Sequence, residues 1–175
     1  WSVPKPMVPV LNRPVMEHIL RLLASHGITE VIANLHWFPD TIEDYFGDGS
    51  SLGIDLTYSH EDTLHGTAGG VYKAREYFDG SFLVISGDAL TDVDLTRMRE
   101  YHESHDGIAT LATKQVTDTS DFGVVITDDD GRIQGFQPLG DLPVLAMAGR
   151  MAWPCPLDVH THLDKGHIWP RQANP

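Results

Sequence analysis

Three stretches of the chain place acidic, glycine and basic residues where they could bind a phosphorylated ligand. Asp88 follows the apolar run "FLVI", and a carboxylate at the end of a strand could hold a magnesium ion that bridges phosphate oxygens. The glycines of "GTAGG", Gly66 to Gly70, could let a ring or a phosphate approach the backbone at a helix N-terminus. Lys5, in "PKP", could pair with a phosphate. The simpler interpretations are a helix-capping aspartate, an ordinary glycine-rich turn and a surface lysine.

Histidines near the end of the chain have the spacing of metal ligands. His160 and His162 stand one residue apart in "DVHTHLDKG", so a strand would point both rings to one face, which suits chelation. Two histidines alone leave a metal ion short of ligands. By contrast, "HESH", His102 to His105, lacks the four-residue spacing of the "HExxH" zinc helix and predicts an exposed helix face.

Strand patterns alternate with helix patterns along most of the chain. This alternation predicts βαβ units, and so an α/β fold with a doubly wound, mostly parallel sheet and flanking helices. Ligands bind such sheets at the carboxyl ends of the strands, which singles out "PKP", "HEDTLHGTAGG" and "SGDAL". Helices are predicted in "NRPVMEHILRLLASHG", "FPDTIEDYFGDG", "GTAGGVYKAREYF" and "DLTRMREYHESH", and strands in "ITEVIANL", "GIDLTYSHE", "SFLVISGDAL" and "GIATLATKQV".

The last third of the chain changes character. "FGVVITDDDGRIQGF" predicts a hairpin that turns at Asp130-Gly131, and Gly123 at its start is either a strand glycine at a bulge or a place where substrate lies against backbone. After Gln137 prolines become frequent and no clear period remains, although "VLAMAGRMAW" could form two short strands. We therefore expect a boundary near residues 137 to 140, with one domain over 1–137 and an appended segment over 138–175.

Composition narrows the range of partners and of cellular settings. Twelve basic against 25 acidic residues give a net charge of −13, which argues against nucleic acid or an anionic membrane as partner. A single cysteine, Cys155, permits no intrachain disulfide and fits a reducing compartment. The first ten residues lack the regions of a signal peptide, so a cytoplasmic protein is expected.

In this order, the stretches from about Val3 to Gln137 resemble the sugar-1-phosphate nucleotidyltransferases, and most closely the mannose-1-phosphate guanylyltransferases. The matching text includes "PKPMVPVLNRPVMEHILRLL", "YSHEDTLHGTAGG", "FLVISGDAL" and "FGVVITDDDGRIQGF". The resemblance implies transfer of a nucleotidyl group from a nucleoside triphosphate (GTP favoured) to a sugar 1-phosphate (mannose favoured), catalysed by positioning and charge neutralisation with Mg²⁺. The roles that it implies are phosphate contact for Lys5, base and ribose contact for Glu61, Gly66, Thr67 and Ala68, magnesium binding for Asp88, and sugar contact for Gly123.

The chain departs from this family pattern at two places. Family members carry a glycine-rich phosphate loop before the point where this sequence starts, and "PLGD" stands where they continue with a Glu-Lys-Pro segment. The resemblance therefore implies impaired catalysis. The tail "GRMAWPCPLDVHTHLDKGHIWPRQANP" resembles instead the start of a cytosine deaminase-type amidohydrolase, in which His160 and His162 would bind Zn²⁺ or Fe²⁺.

Three functions follow from these patterns. The first is nucleotidyl transfer, with a nucleotide and a sugar phosphate as ligands. The second is hydrolysis at a metal held by the two tail histidines. The third is a non-catalytic fold that self-associates into a homo-oligomer through exposed strand edges.

Overall fold

The computed structural model describes residues 3–115, 123–137, 145–146 and 167–171. These residues form two compact units, one comprising the described residues up to Leu95 together with 167–171, the other those from Thr96 to 146. The helices are α1 (Val15–Ser25), α2 (Pro39–Phe46), α3 (Gly66–Lys73) and α4 (Leu95–Glu103). The strands are β1 (Pro9–Val10), β2 (Arg13–Pro14), β3 (Glu30–Leu35), β4 (Asp55–His60), β5 (Ile85–Ser86), β6 (Val124–Thr127), β7 (Ile133–Gln137), β8 (Leu145–Ala146) and β9 (His167–Arg171).

The first unit is organised around a four-stranded sheet in the order β4-β3-β9-β5. β3 and β4 pair in parallel over their whole length, from Glu30 opposite Asp55 to Leu35 opposite His60. β9 is antiparallel to both of its neighbours, β3 and β5. β3, β4 and β5 therefore run in the same direction, and their carboxyl ends lie at one edge of the sheet. This arrangement confirms the predicted α/β fold with flanking helices.

Helix α1 forms and ends where its sequence predicts. Pro14 precedes the first helical residue with its fixed φ of −54°, and Gly27 leaves the helix with φ +73°, which glycine adopts without strain. The buried side chains recur at helical spacing, among them Ile19, Leu20 and Leu23, which are at most 1% exposed. This stripe therefore packs into the main apolar core of the unit.

The two faces of the sheet carry separate apolar clusters. On one face Val31, Ala33 and Leu35 of β3 join the large core formed with α1 and α2. On the other face Ile32 packs with Ala74, next to α3, in a much smaller cluster. β3 is thus buried on both faces, as its run of apolar residues predicts.

In the second unit, the structure confirms the predicted hairpin and contradicts one predicted strand. β6 and β7 form the antiparallel hairpin, with Gly131 at φ +80° in the turn, and β8 pairs with β7. The predicted strand "GIATLATKQV" is wrong over residues 107–115, which are not in a strand. Ile108 is 76% and Leu111 50% exposed, so the apolar alternation there buries no face that would hold a strand.

Other expectations meet the structure only in part. β5 covers two residues of the longer predicted strand "SFLVISGDAL". No helix within the described residues is long and apolar enough to span a membrane. The predicted boundary near residues 137 to 140 stays a prediction.

Candidate functional site

A row of four residues crosses the sheet in register near its carboxyl edge. Ser59 pairs with Asn34, Asn34 with His167, and His167 with Ser86. Paired residues place their side chains on the same face of a sheet, so Ser59 and Asn34 share the face of α3. Because neighbouring strands lie about 4.8 Å apart, the row runs roughly 14 Å from β4 to β5. Residues that follow Ser59, Asn34 and Ser86 in sequence lie toward the edge where α/β sheets bind their ligands.

Glu61 and the start of α3 are positioned together at the β4 end of this edge. The Glu61 amide donates to the Leu35 carbonyl at 2.8 Å, so the backbone stays paired one residue beyond β4. The chain then turns and enters α3 at Gly66, whose φ of +71° is a left-handed conformation that favours glycine. Gly66, Thr67 and Ala68 thus present the first backbone N–H groups of the helix, which have no partner within a helix and suit an anion.

Asn34 and Glu61 lie beneath α3 as a buried polar pair. Asn34 is 4% and Glu61 5% exposed. A Cβ on Gly70 would stand 2.8 Å from Asn34 Nδ2 and 3.7 Å from Glu61 Oε1, so α3 packs directly on both side chains. Asn34 Oδ1 and Glu61 Oε1 accept no hydrogen bond among the described residues. Two buried acceptors without a donor are rare in folded proteins and each costs about 1 to 3 kcal/mol.

Two histidines border this pair. His36 Nδ1 donates to the backbone carbonyl of Glu61 at 2.6 Å, which ties the ends of β3 and β4 together and fixes the tautomer of the ring. His65, more than half exposed, places Nδ1 3.5 Å from Glu61 Oε1, without the alignment of a hydrogen bond. Glu61 is therefore held through its backbone, while its buried carboxylate lies beside the exposed His65 ring.

Asp88 lies at the other end of the edge, two residues beyond Ser86. Ser86 Oγ donates to Asp88 Oδ1 at 3.0 Å, which orients the carboxylate. Mg²⁺ is commonly held by one or two carboxylates together with the phosphates of its substrate, so a single oriented aspartate fits this ion. In the described part of the chain no three His, Cys, Asp or Glu side chains come together as a metal cluster. A magnesium ion held here would need substrate phosphate as a further ligand.

The remaining predicted site residues lie elsewhere. Lys5 is half-buried in the short 3₁₀ turn Lys5–Met7, ahead of the β1–β2 hairpin. Gly123 is exposed and directly precedes β6 in the second unit. His160 and His162 lie outside the described residues, so the metal alternative stays a prediction. The structure brings together Glu61, Gly66, Thr67 and Ala68, and places Asp88 at the same sheet edge.

A second concave feature lies away from this edge. A pocket of about 250 Å³ is bounded by α1, α2 and the turn Ser50–Leu52. Its polar wall is the Glu17 carboxylate, which accepts hydrogen bonds from Arg21 Nε and Tyr45 Oη at 2.8 Å each. Burial alone raises the pKa of Glu17, but these hydrogen bonds and the charges of Arg21 and Arg13 together lower it. This carboxylate is already satisfied within the fold, so the pocket is a weaker ligand candidate than the sheet edge.

Comparisons with known proteins identify the family of this chain. The family model described as nucleotidyl transferase matches residues 1–144. The UTP–glucose-1-phosphate uridylyltransferase of Synechocystis sp. is 41% identical over 150 residues, and the mannose-1-phosphate guanylyltransferase of Mycobacterium tuberculosis is 36% identical over 136. These alignments cover 78% and 77% of this chain but 39% and 38% of the relatives. The chain belongs to the nucleotidyl transferase family and spans about two-fifths of the length of these relatives.

A solved structure supports the fold independently. The crystal structure of HddC from Yersinia pseudotuberculosis superposes with a TM-score of 0.69 at 19% identity, over 96% of this chain and 68% of that one. At this identity the likeness shows the fold alone. The identity of the family therefore rests on the sequence relatives and on the family model.

Asn34 is a buried polar residue next to the candidate site that sequence reasoning did not single out. Its signal was a single polar residue in the otherwise apolar run "VIANL". Alternation along β3 places it on the same face as Ile32, but sequence alone gives no sign that its neighbour on that face is Glu61. The contact depends on the register of β3 with β4, which only the structure supplies.

Proposed function

We propose that this chain contributes the nucleotide-binding part of a sugar-1-phosphate nucleotidyltransferase, with GTP as the favoured nucleotide and mannose 1-phosphate as the favoured sugar. The observation that carries the proposal is the arrangement of one sheet edge: a buried carboxylate beside a glycine-rich helix start at one end, and an oriented aspartate at the other. The relatives named above are a uridylyltransferase and a guanylyltransferase, both of sugar 1-phosphates. They support the reaction class and leave the base and the sugar to experiment.

Each candidate site residue has a proposed role that follows from its position. Glu61 and the first turn of α3 would hold the base and ribose, with the glycines permitting close approach to the backbone. Asp88 would hold Mg²⁺, which supplies charge neutralisation at the phosphates when bound. Lys5 would contact phosphate and Gly123 the sugar. Transfer by this family class depends on alignment of the attacking sugar phosphate with the α-phosphorus, so positioning is the main contribution of the protein.

Calorimetric titration with GTP in the presence of Mg²⁺ tests this proposal. We expect wild type to bind, Asp88→Ala to bind at least tenfold more weakly, and Asp92→Ala to bind as wild type does. Asp92 is the matched control, an exposed carboxylate four residues further along the same loop. The proposal fails if millimolar GTP does not bind to wild type, or if Asp88→Ala leaves the affinity unchanged.

Turnover is measured separately from binding. Release of pyrophosphate from GTP and mannose 1-phosphate reports the full reaction, and the expectation of impaired catalysis predicts binding with little release. GDP-mannose, titrated in parallel, tests whether the sugar part of the product adds affinity. Replacing GTP by UTP and mannose 1-phosphate by glucose 1-phosphate then decides the preferred base and sugar.

A further inference from the structure

The pocket between α1, α2 and the turn Ser50–Leu52 has hydrogen-bond donors left over, although its carboxylate is satisfied. Arg21 bonds Glu17 Oε1 through Nε alone, at 2.8 Å. The Nη groups of Arg21 have no partner among the described residues, and neither has the hydroxyl of Ser51, which also lines the pocket. Because a guanidinium group carries its N–H donors in a planar fork, most of the donors of Arg21 remain available to a ligand.

The charge beside this pocket is positive, in a chain that is strongly acidic overall. Arg21 Nε and Arg13 Nε stand 2.8 and 3.6 Å from the same oxygen, Glu17 Oε1. Both arginine side chains are about half exposed, whereas that of Glu17 is 8% exposed. Burial raises the pKa of Glu17, but its hydrogen bonds and the two arginine charges lower it on balance, so the carboxylate is ionised at neutral pH. Two guanidinium groups therefore accompany one carboxylate, and the excess positive charge favours an anion.

The Glu17 network also restrains Arg21 before any ligand binds. Tyr45 Oη donates to Glu17 Oε2 at 2.8 Å, so the carboxylate joins α1 to α2. Since this buried carboxylate holds Nε, the guanidinium group has already lost part of its freedom, which lowers the entropy cost of binding. Phosphate and carboxylate groups accept parallel hydrogen bonds from such a fork.

The remaining walls limit the size and the chemistry of the ligand. The rings of Tyr45 and Phe46 lie edge to face with their centroids 4.8 Å apart, and Leu52 adds a further apolar wall. The volume of about 250 Å³ is below the roughly 300 to 1,000 Å³ of pockets that hold drug-sized ligands. The pocket therefore suits a small phosphate ester better than a whole nucleotide.

We propose that this pocket is a second anion site, which binds the phosphate group of a small phosphorylated metabolite through the Nη groups of Arg21 and the hydroxyl of Ser51. The organic part of the ligand lies against Tyr45 and Leu52, and Arg13 adds positive charge beside the phosphate. The site is separate from the sheet edge, and it does not depend on the proposed nucleotidyl transfer.

Titration of isotope-labelled protein, followed by nuclear magnetic resonance, tests this site. The probes are mannose 6-phosphate and inorganic phosphate, and mannose is the uncharged control. We expect saturable shifts of the Ser51 amide and Arg21 Nε–H signals with both phosphate probes, tighter binding of the ester, and no shifts with mannose. Equal affinity for the two phosphate probes would overturn the assignment of Tyr45 and Leu52 to an organic part of the ligand.

Two variants separate the contributions to this site. Arg21→Gln keeps a hydrogen-bond donor for Glu17 but loses the fork, and it should bind mannose 6-phosphate at least about tenfold more weakly, the value of one hydrogen bond to a charged group. Ser51→Ala, at an exposed position of the turn, should bind it about threefold more weakly. Ser51→Ala also provides the test if Arg21→Gln does not fold.

The matched control is Arg99→Gln on α4. Arg99 stands in the same i,i+4 relation to Glu103 as Arg21 does to Glu17 in reverse, but the Glu103 side chain is 61% exposed. This variant should bind mannose 6-phosphate as wild type does, and so should Asp88→Ala, which alters only the proposed nucleotide site. The inference is overturned if neither phosphate probe gives saturable shifts at the pocket, if mannose shifts the same signals, or if Arg21→Gln or Ser51→Ala keeps wild-type affinity. Failure of GTP to bind would overturn the proposed function and leave this site standing.

Discussion

The two faces of the sheet in the first unit differ in the polarity of the side chains that they carry. On the α1 face, β3 contributes Val31, Ala33 and Leu35 to a large apolar core. On the α3 face, the same strand contributes Ile32 to a small cluster and then Asn34, whose Oδ1, like Glu61 Oε1, accepts no hydrogen bond from the part of the chain that the structure describes. The first face is closed by apolar packing, whereas the second carries two buried acceptor atoms that this part of the chain leaves unpaired. The contrast makes the α3 face the candidate for ligand binding, as proposed above, and the α1 face the location of the main apolar core.

The largest expected effect is on the complete face. Leu23→Ala removes a side chain that is fully buried between α1 and the sheet, and we expect a loss of about 2 to 5 kcal/mol of unfolding free energy. Urea denaturation followed by circular dichroism measures this. Where the variant is still folded, its GTP affinity should match wild type. A loss below 1 kcal/mol would mean that the α1 face is not the main core.

Gly70→Ala tests how closely α3 is packed on the polar pair. An alanine at an unconstrained helical position would raise stability by about 0.5 to 1 kcal/mol relative to glycine. Here the added Cβ would stand 2.8 Å from Asn34 Nδ2 and 3.3 Å from its Cγ, so we expect a loss of about 1 to 3 kcal/mol and weaker nucleotide binding. The sign of the change in the unfolding midpoint distinguishes these two outcomes. A rise would show that α3 is not packed closely against Asn34.

The buried carboxylate of α1 offers a contrast with Glu61. Glu17 is paired with Arg21 and Tyr45, and the net result of burial opposed by these partners is a pKa below the ordinary value of 4.5. A depressed pKa in the folded state gives stability that is present above about pH 4.5 and is lost as pH falls below it. We expect wild type to lose stability below this pH more steeply than Glu17→Gln. The unfolding midpoints of wild type and Glu17→Gln are measured as pH is lowered. If they fall in parallel, this carboxylate has no stabilising role.

The smallest expected change in stability, and the sharpest test of the contrast, is Asn34→Leu. Replacing a buried polar group that lacks a partner by an apolar group of similar shape is nearly neutral or stabilising. We expect an unfolding free energy within about 1 kcal/mol of wild type, or higher. A loss of 2 kcal/mol or more in the ligand-free protein would mean that Asn34 stabilises the fold.

The sequence predicts much of the fold because its signals are local. Pro14 and Gly27 bound α1, apolar alternation marks β4, and the Asp130-Gly131 turn closes the hairpin. The strand predicted over residues 107–115 is wrong because apolar alternation carries no information about whether a partner strand is available. Likewise, no local pattern predicts that residues 167–171 pair between β3 and β5.

The candidate site is predictable only where it is local. The turn from Glu61 to Ala68 and the aspartate after β5 are contiguous motifs, and the resemblance assigns their roles. Asn34 comes to lie near Glu61 and Gly70 through the register of two strands and the absence of a side chain at Gly70, which are properties of the folded chain. In the sequence, this arrangement is indicated only by a polar residue inside an apolar strand.

Thermal unfolding of wild type, Asp88→Ala and Leu23→Ala, each with and without GTP and Mg²⁺, tests the contrast between the sheet edge and the apolar core most directly. A ligand at 100 times its dissociation constant adds about 2.7 kcal/mol to the stability of the state that binds it. We predict a rise in melting temperature with GTP for wild type and for Leu23→Ala, from a lower starting point in the latter. Asp88→Ala should melt near wild type without nucleotide and shift clearly less with it. An equal shift in wild type and Asp88→Ala, or no shift in wild type, would contradict the account.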